Sequence, residues 1–403
     1  GDITVPDGST LTIEPGAVVK FDPGLSLIIE SGGYLIAHGT VARPITFTSI
    51  RDDKVGGDTN EDANQSLPAA GDWNCLKCKG GVIDLDHVVI VYGGGPTGTW
   101  DNTGMVKCES GQILLSNSIM SHSYYDGVIL LNGYVQLTNC IMDHIDRAIQ
   151  INGGSVQAVH CTLYRNRYGV FLHGGTLEMT NSIIAESLQY GMNLCCGSPQ
   201  PTLSHNNVWG SGLADYISVA DPTGLNGNLS VDPRFKDAER GDFRLRYVSP
   251  MIDAADGTAS SEADFFGAPR YDDPRTPNTG IAASGGAFTD TGAFEFVETM
   301  PSDRDLVVTA INGPTAVTAG DEAVISWTVS NLGSGEARGP WHDMVSIVRN
   351  SSYTSGTILI GEVSVGLNTV LGPGQSLTAQ ARFRIPAATS HYYSWHVTTN
   401  YRG

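Results

Sequence analysis

GMVKCESGQILLSNSIMSHSYY (104–125), DGVILLNGYVQLTNCIMDHIDR (126–147), AIQINGGSVQAVHCTLYRNRY (148–168) and GVFLHGGTLEMTNSIIAESLQY (169–190) follow one another almost without insertion, each ending where the next begins. A polar residue followed by a small one recurs at Asn117, Asn139, His160 and Asn181, at spacings of 22, 21 and 21. A fixed period of this length marks a chain built of stacked supersecondary units. In a parallel β-helix each unit is one coil lying about 4.8 Å above the last, so equivalent side chains form ladders. An Asn ladder in a turn bonds its amides from coil to coil, which gives these residues a structural role, and Asp86 and Asn206 extend the series.

Between the ladder positions the apolar residues alternate, as a strand with one buried face requires. Val128 and Leu130, Ile149 and Ile151, Val170 and Leu172, and Met192 and Leu194 are predicted inward, with Ile119, Ile141, Leu163 and Ile183 as a second inward stack. Leucine-rich repeats share the period, but their Leu-x-x-Leu-x-Leu pattern and helical segment are missing. The expected class is all-β: a right-handed parallel β-helix over residues 1–296, a linker at 297–302, and an immunoglobulin-like β-sandwich over 303–403.

Composition agrees. Gly at 49 residues, Pro at 19 and 16% charged residues describe a turn-rich β protein rather than a helical one. The formal charge of −19 sets the surface against nucleic acid and anionic membranes, and favours a cation or a neutral glycan. No stretch reaches the roughly 18 apolar residues of a membrane span. Gly1 opens directly into strand-like sequence, so the chain reads as a mature or excised segment whose export is inferred.

The flanks carry resemblances. GDITVPDGSTLTIEPGAVVKF (1–21), LIIESGGYLIAHGT (27–40) and PITFTS (44–49) resemble the opening of bacterial extracellular right-handed β-helix proteins. NNVWGSG (206–212), SVDPRFKD (230–237), GDFRLRYVSPMIDAAD (241–256), DFFGAPRYDD (264–273) and DTGAFEF (290–296) resemble the terminal coils of pectate-lyase-like members, which implies fold and not reaction. After the polar stretch VETMPSDRD (297–305), residues 305–350 and LGPGQSLTAQARFRIP (371–386) resemble CARDB-type, cell-adhesion-related domains of bacterial and archaeal surface proteins. Trp327, the turn Asn331-Leu332-Gly333 and Trp341-His342-Asp343 carry that likeness; Trp327 is expected in the core, and the chain stops soon after the strand SWHVTTNY, as a truncated sandwich would.

For metal chemistry the sequence offers the loop RDDKVGGDTNEDANQSLPAAGDW (51–73), where Asp58, Asn60 and Asp62 stand at alternate positions as oxygen ligands to Ca²⁺ do. Ala63 and Ala69 occupy the places where an EF-hand loop has Gly and Glu, so a solvated acidic insertion is the competing reading. Seven cysteines cannot all pair within the chain. Cys78 and Cys108 fall one coil apart and are compatible with a disulfide or with two thiols. Cys140 and Cys161 stack too far apart to bridge and are expected as thiols. Cys75 lacks a zinc-finger partner set, and Cys195-Cys196 receives no role.

For catalysis, the outward row Lys107, Ile129, Gln150, Phe171 and Asn193 and its neighbour Glu109, Leu131, Asn152 and His173 offer scattered charges and apolar interruptions, unlike a lyase face. A second row, His122, His144, Arg165 and Glu186, lies five residues after each ladder position, and Tyr125, Arg147, Tyr168 and Tyr190 lie near the coil junctions, where aromatics could meet sugars. His144 and Arg165 with Asp143 and Asp146 are the enzyme reading at its strongest, but no register brings two carboxylates to a defined separation. The expectation is therefore a secreted or cell-surface structural or adhesive module with no assigned catalytic residue. Its partners would be a cell-surface or matrix glycan or protein, or further copies of itself. A polysaccharide lyase or glycoside hydrolase, or a carbohydrate-binding protein without turnover, is the alternative.

Overall fold

Three short strands per coil build the first half of the chain, and strands at equal positions pair in parallel with the next coil. One column runs Asp126–Leu130, Arg147–Ile151, Tyr168–Leu172, Tyr190–Leu194 and Ala214–Ile217; a second runs Tyr134–Thr138, Ser155–Val159, Thr176–Thr180 and Thr202–Ser204. The third contains Ile119–Ser121, Ile141–Asp143, Thr162–Tyr164, Ile183–Ala185 and Asn207–Trp209. Leu76–Asp86 and Gly104–Ser116 cross from the first column to the second as single strands, turning at Gly80 and Gly111, both with φ +94°. A Cβ at Gly111 would stand 2.4 Å from the Gly81 carbonyl oxygen, so only glycine fits that bend. Ile3–Val5 pairs with Leu27–Glu30, Thr10–Ile13 with Tyr34–His38 and Val18–Phe21 with Ile45–Ser49, making residues 1–50 the opening coils.

The structure is a computed structural model and describes residues 1–63, 65–95, 103–296, 306–333, 335–349, 357–367, 369–386 and 393–399. Its two compact units are Gly1–Val297 and Glu298–Gly403; the expected linker at 297–302 lies outside the described residues.

One apolar core runs without a break from Val5 to Val208 and contains every inward residue expected in the first column, Val128 and Leu130 through Met192 and Leu194. In the third column Leu163 points inward as expected, and the other three expected residues are each displaced by one. Met120, Met142, Leu163 and Ile184 point into this core, whereas Ile119, Ile141 and Ile183 point outward with Thr162 in register. These strands are only three residues long and apolar on both faces, so alternation alone does not fix which face is inside.

The outward face is apolar because it is covered. Residues 232–296, expected as further coils, form one two-stranded hairpin, Phe235–Asp237 with Asp242–Leu245, two 3-10 turns at Ala238–Arg240 and Gly257–Ala259, and irregular chain between them. Phe235, Phe243, Leu245, Met251, Ile252, Ala293, Phe294 and Phe296 pack with Ile141, Tyr164, Ile183 and Ala185 in a second core. The cover is thus fixed to the solenoid by burial of large side chains, each contributing roughly 1.5–3 kcal/mol.

Among the described residues the second unit has two three-stranded antiparallel sheets and a short pair, Ala337–Arg338 with Val370–Leu371. Leu306–Asn312, Glu322–Asn331 and Ser376–Arg384 form one; Thr357–Val365, Trp341–Arg349 and Tyr393–Thr398 form the other. Residues of both sheets, among them Trp327, Ile325, Val345 and Phe383, share one core, so the unit is a sandwich. Trp327 is buried as expected, and its indole N–H donates to the buried Asp343 carboxylate at 2.6 Å.

Candidate functional site

From His87 to Glu186, successive coils turn two of their corners on a non-glycine residue with positive φ. The first corner column is His87, Asn117, Asn139, His160, Asn181 and His205, with φ between 48° and 55°; the second is Tyr92, His122, His144, Arg165 and Glu186, with φ between 49° and 64°. Asn tolerates this left-handed region because its side chain bonds locally, while Arg and Glu enter it at a cost of roughly 1–2 kcal/mol that neighbouring contacts must offset.

The strand register stacks Asn117, Asn139, His160 and Asn181 on successive coils, as the spacing predicted. The two extensions are each displaced by one residue: His87 and His205, not Asp86 and Asn206, occupy this corner. Asn139 donates to Asn117 at 2.9 Å, Asn117 donates to Asp86 at 2.8 Å and Asn181 donates to His160 at 3.1 Å, so among the described bonds one joins amide to amide as expected and the others use a carboxylate and a ring. The column also faces the cover. Asn139 donates to the Ala263 carbonyl and Asn181 to that of Asp256, both at 2.9 Å, and Arg270 donates to Asn139 at 2.9 Å. His160 is fully buried, with its ring nitrogens 3.2 Å from the Gly292 carbonyl and 2.9 Å from the Ser260 hydroxyl. Burial and Arg270 hold its pKa well below the usual histidine value.

The catalytic candidates lie in and beside the second column. His144 sits 2.8 Å from Asp143, and its ring stacks on His122 with centroids 5.7 Å apart. Arg165 donates to Glu186 at 3.1 Å and to Glu239 of the cover at 2.6 Å, and its guanidinium lies over the Tyr164 ring. The Tyr164 hydroxyl donates to the same Glu186 oxygen at 3.1 Å. Asp146 accepts from Arg167 at 3.1 Å. Each candidate is therefore held by a neighbour on its own coil, the next coil or the cover.

Around them, Asp126 rather than Tyr125 stands in register with Arg147, Tyr168 and Tyr190. Asp126 is buried, which pushes its carboxyl up to about 8 against the opposing pull of Arg147, 2.5 Å away. On the flat face, the row Lys107, Ile129, Gln150, Phe171 and Asn193 has the predicted register. Two of its polar members bond along their own coils, Lys107 to Glu109 at 2.8 Å and Gln150 to Asn152 at 2.8 Å.

In the acidic loop, Asp53, Asp58 and Asp62 each bring a carboxylate oxygen within 4.8 Å of the others. Asn60 directs its amide N–H₂ to Asp62 and Ser66 at 3.0 and 3.1 Å, which leaves its own Oδ1 buried without a hydrogen-bond partner. Asp58 accepts the backbone N–H groups of Asp62 and Ala63, so it shapes the turn as well. Both oxygens of Asp53 are shielded from solvent and have no hydrogen-bond partner. Sequence reasoning missed Asp53 because it lies outside the alternating triplet; its only signal was the acidic run Asp52-Asp53 at the loop's start.

Cys78 and Cys108 are in register on adjacent coils and are both buried thiols, not the disulfide considered from their spacing. Parallel side chains in register point the same way, and Cys78 and Cys108 donate to the carbonyls of Gly81 and Asn132 at 3.2 and 3.3 Å. Cys140 and Cys161 are buried thiols as expected, whereas Cys195 and Cys196 are joined to each other.

Residues 97–227 match a family model described as a right handed beta helix region, the class this solenoid defines. No curated protein matches the chain. Among solved structures, the enzymatically active domain of tailspike protein 4 of bacteriophage CBA120 aligns with 99% of this chain and 62% of that one, at 13% identity and a TM-score of 0.18. A likeness at that TM-score is too weak to carry fold or function.

Proposed function

We propose that this chain is a secreted or cell-surface structural and adhesive module, with the β-helix as a rigid spacer and the second unit as a CARDB-like adhesion or joining domain. One observation carries the reading: Arg165, the guanidinium best suited to electrophilic work, is already engaged in ties between coils and to the cover, shared between Glu186 and Glu239. A lyase or hydrolase needs a base and a charge-stabilising group free to meet substrate. The charge of −19 favours neutral glycan or protein partners over nucleic acid, and multiple copies side by side are a further option for a spacer.

Calcium belongs to the same reading. Asp58, Asn60 and Asp62 are kept as ligands and Asp53 joins them; the Asn60 N–H₂ braces the turn while its Oδ1 stays without a partner. The two unpartnered oxygens of Asp53 suit a hard cation, which takes carboxylate oxygens at about 2.3–2.6 Å. Bound there, it would supply charge neutralisation and order the loop before Trp73, whose buried ring stacks on Phe21 at 4.4 Å.

A carbohydrate-binding protein without turnover is the second reading, favoured by the ring column in which His122 stacks on His144 and Tyr92 lies tilted against His122. A panel of pectin, alginate, glycosaminoglycan and neutral glycans, assayed with calcium for retention and for unsaturated products or new reducing ends, separates the cases. Retention without products favours the binding reading, neither leaves the spacer reading, and products that depend on His144 or Arg165 overturn both.

A further inference from the structure

Five of the seven cysteines are buried in the solenoid; Cys195 is half-buried and Cys196 exposed. The two leave the strand Tyr190–Leu194, whose pairing with Tyr168–Leu172 sets Leu194 against Leu172. The residue after each strand therefore also faces its counterpart, and Cys195 donates its backbone N–H to Leu172 at 2.8 Å. That counterpart is His173, which is exposed. One ring nitrogen of His173 and the sulfurs of Cys195 and Cys196 all lie within 4.8 Å of one another. The turn holding them is well defined: the Ser198 hydroxyl and backbone N–H both bond the Cys195 carbonyl, at 2.8 and 3.2 Å, while space beside Gly197 is open.

We propose that His173, Cys195 and Cys196 form a redox-gated site for a thiophilic metal ion, closed while the adjacent cysteines are joined and open once they are reduced. Two thiols of an external reductant give up two electrons and two protons to the Cys195–Cys196 bond, producing two protein thiols and one small disulfide. A divalent ion then displaces the two thiol protons and binds two thiolates and one imidazole nitrogen. Zinc accepts this set, with bonds of about 2.3 Å to sulfur and 2.0–2.1 Å to nitrogen and a fourth position left to water. Ligands at those distances lie roughly 3.5–3.8 Å apart, which rotation of side chains already within 4.8 Å of one another supplies. The buried thiols do not compete, since each is enclosed within the coils. The site is independent of the adhesive and calcium readings, because its ligands are soft and lie outside the acidic loop.

The test uses the full chain, with zinc alone as the probe, in competition with a chromophoric chelator. The protein is compared before and after mild thiol reduction, beside the Cys195→Ser/Cys196→Ser double variant and His173→Ala. Reduced wild type is expected to expose two reactive thiols without unfolding and to bind one equivalent of zinc at micromolar affinity or better. The oxidised protein and the double-serine variant should bind none at that level, and His173→Ala should weaken binding about tenfold or more, equivalent to about 1.4 kcal/mol. Cobalt substituted for zinc should show thiolate charge-transfer absorption that the serine variant lacks. Equal binding by reduced wild type and the double variant, or by oxidised and reduced protein, overturns the proposal. So does absence of micromolar binding after reduction, and an unchanged affinity in His173→Ala removes the imidazole from the set.

Discussion

Asp253→Asn should make the protein more stable above about pH 4, by an amount that grows up to about neutral pH and then levels off. Asp253 is fully buried in the cover with φ 53°, a backbone position that Asn accepts. Its backbone N–H is taken by Asp290, one carboxyl oxygen accepts from the Asp273 N–H at 3.3 Å, and the other has no partner. Burial first, then the carboxylates of Asp272, Asp273 and Glu295, push its pKa up to about 7, against the lowering bond from Asp273. The unfolded carboxyl titrates near 3.9, so the folded state holds a proton that the unfolded state has lost across about three pH units. Stability from this group is complete below the unfolded value and is lost as pH rises through the folded one, for a total of roughly 4 kcal/mol at most. Asn is neutral throughout and escapes that loss. Allowing for relaxation and water entry, the variant should match wild type near about pH 4 and exceed it by roughly 2–4 kcal/mol near about pH 8. Urea unfolding of both proteins across that range, followed by circular dichroism, measures the difference. A difference that stays flat with pH, or an Asn variant less stable at the alkaline end, would mean that Asp253 is ionised and well solvated in the fold.

Three further outcomes follow from particular contacts. Calcium should bind the chelator-treated protein and raise its melting temperature in proportion to the logarithm of concentration, and Asp53→Asn together with Asp58→Asn should abolish the heat seen by calorimetry; an unchanged titration would remove the loop as the site. Ile183→Ala should cost about 2–4 kcal/mol in urea unfolding, because Ile183 is buried between coil and cover; a loss below about 1 kcal/mol would mean that the cover is not docked there. In the second unit, Trp327→Phe should cost about 1–3 kcal/mol by calorimetry, since it removes the donor to the buried Asp343, whose other oxygen accepts from Thr399 at 2.6 Å; no loss would show that water replaces the indole.

The solenoid was legible because its period is written in residues that only a stacked coil explains. Asn117, Asn139, His160 and Asn181 stand in one column, and the first-column apolar pairs all face the core. The third column was misread by one residue because Ile119, Ile141 and Ile183 are as apolar as their inward neighbours; the reason lies in a cover more than forty residues downstream. The same distance hid the partners of Arg165, since Glu239 approaches it through folding and not through period. Of the acidic loop, the carboxylates of Asp58 and Asp62 do lie together and Asn60 keeps an unpartnered Oδ1, but a triplet at alternate positions says nothing of Asp53, which reaches them from the loop's start. His173 and Cys195 occupy equivalent positions of adjacent coils and were readable in principle; what concealed them was treating the cysteines and the outward row separately.

The central claim is that the polar corner columns tie coil to coil and coil to cover, and the stability of Arg165→Met tests it most directly. Methionine keeps much of the packing of the arginine stem while removing its bonds to Glu186 and Glu239 and its contact with Tyr164. Arg165 is only partly shielded, with 24% of its side chain exposed, so the ties are worth less than a fully buried network. The account predicts a loss of about 1–2 kcal/mol in urea unfolding at neutral pH, shrinking in high salt. A residue kept for catalysis is held against stability, and its removal leaves the fold as stable or more so. Unchanged or increased stability in Arg165→Met, reproduced at low and high salt, would contradict the account and return Arg165 to the candidates for an active site.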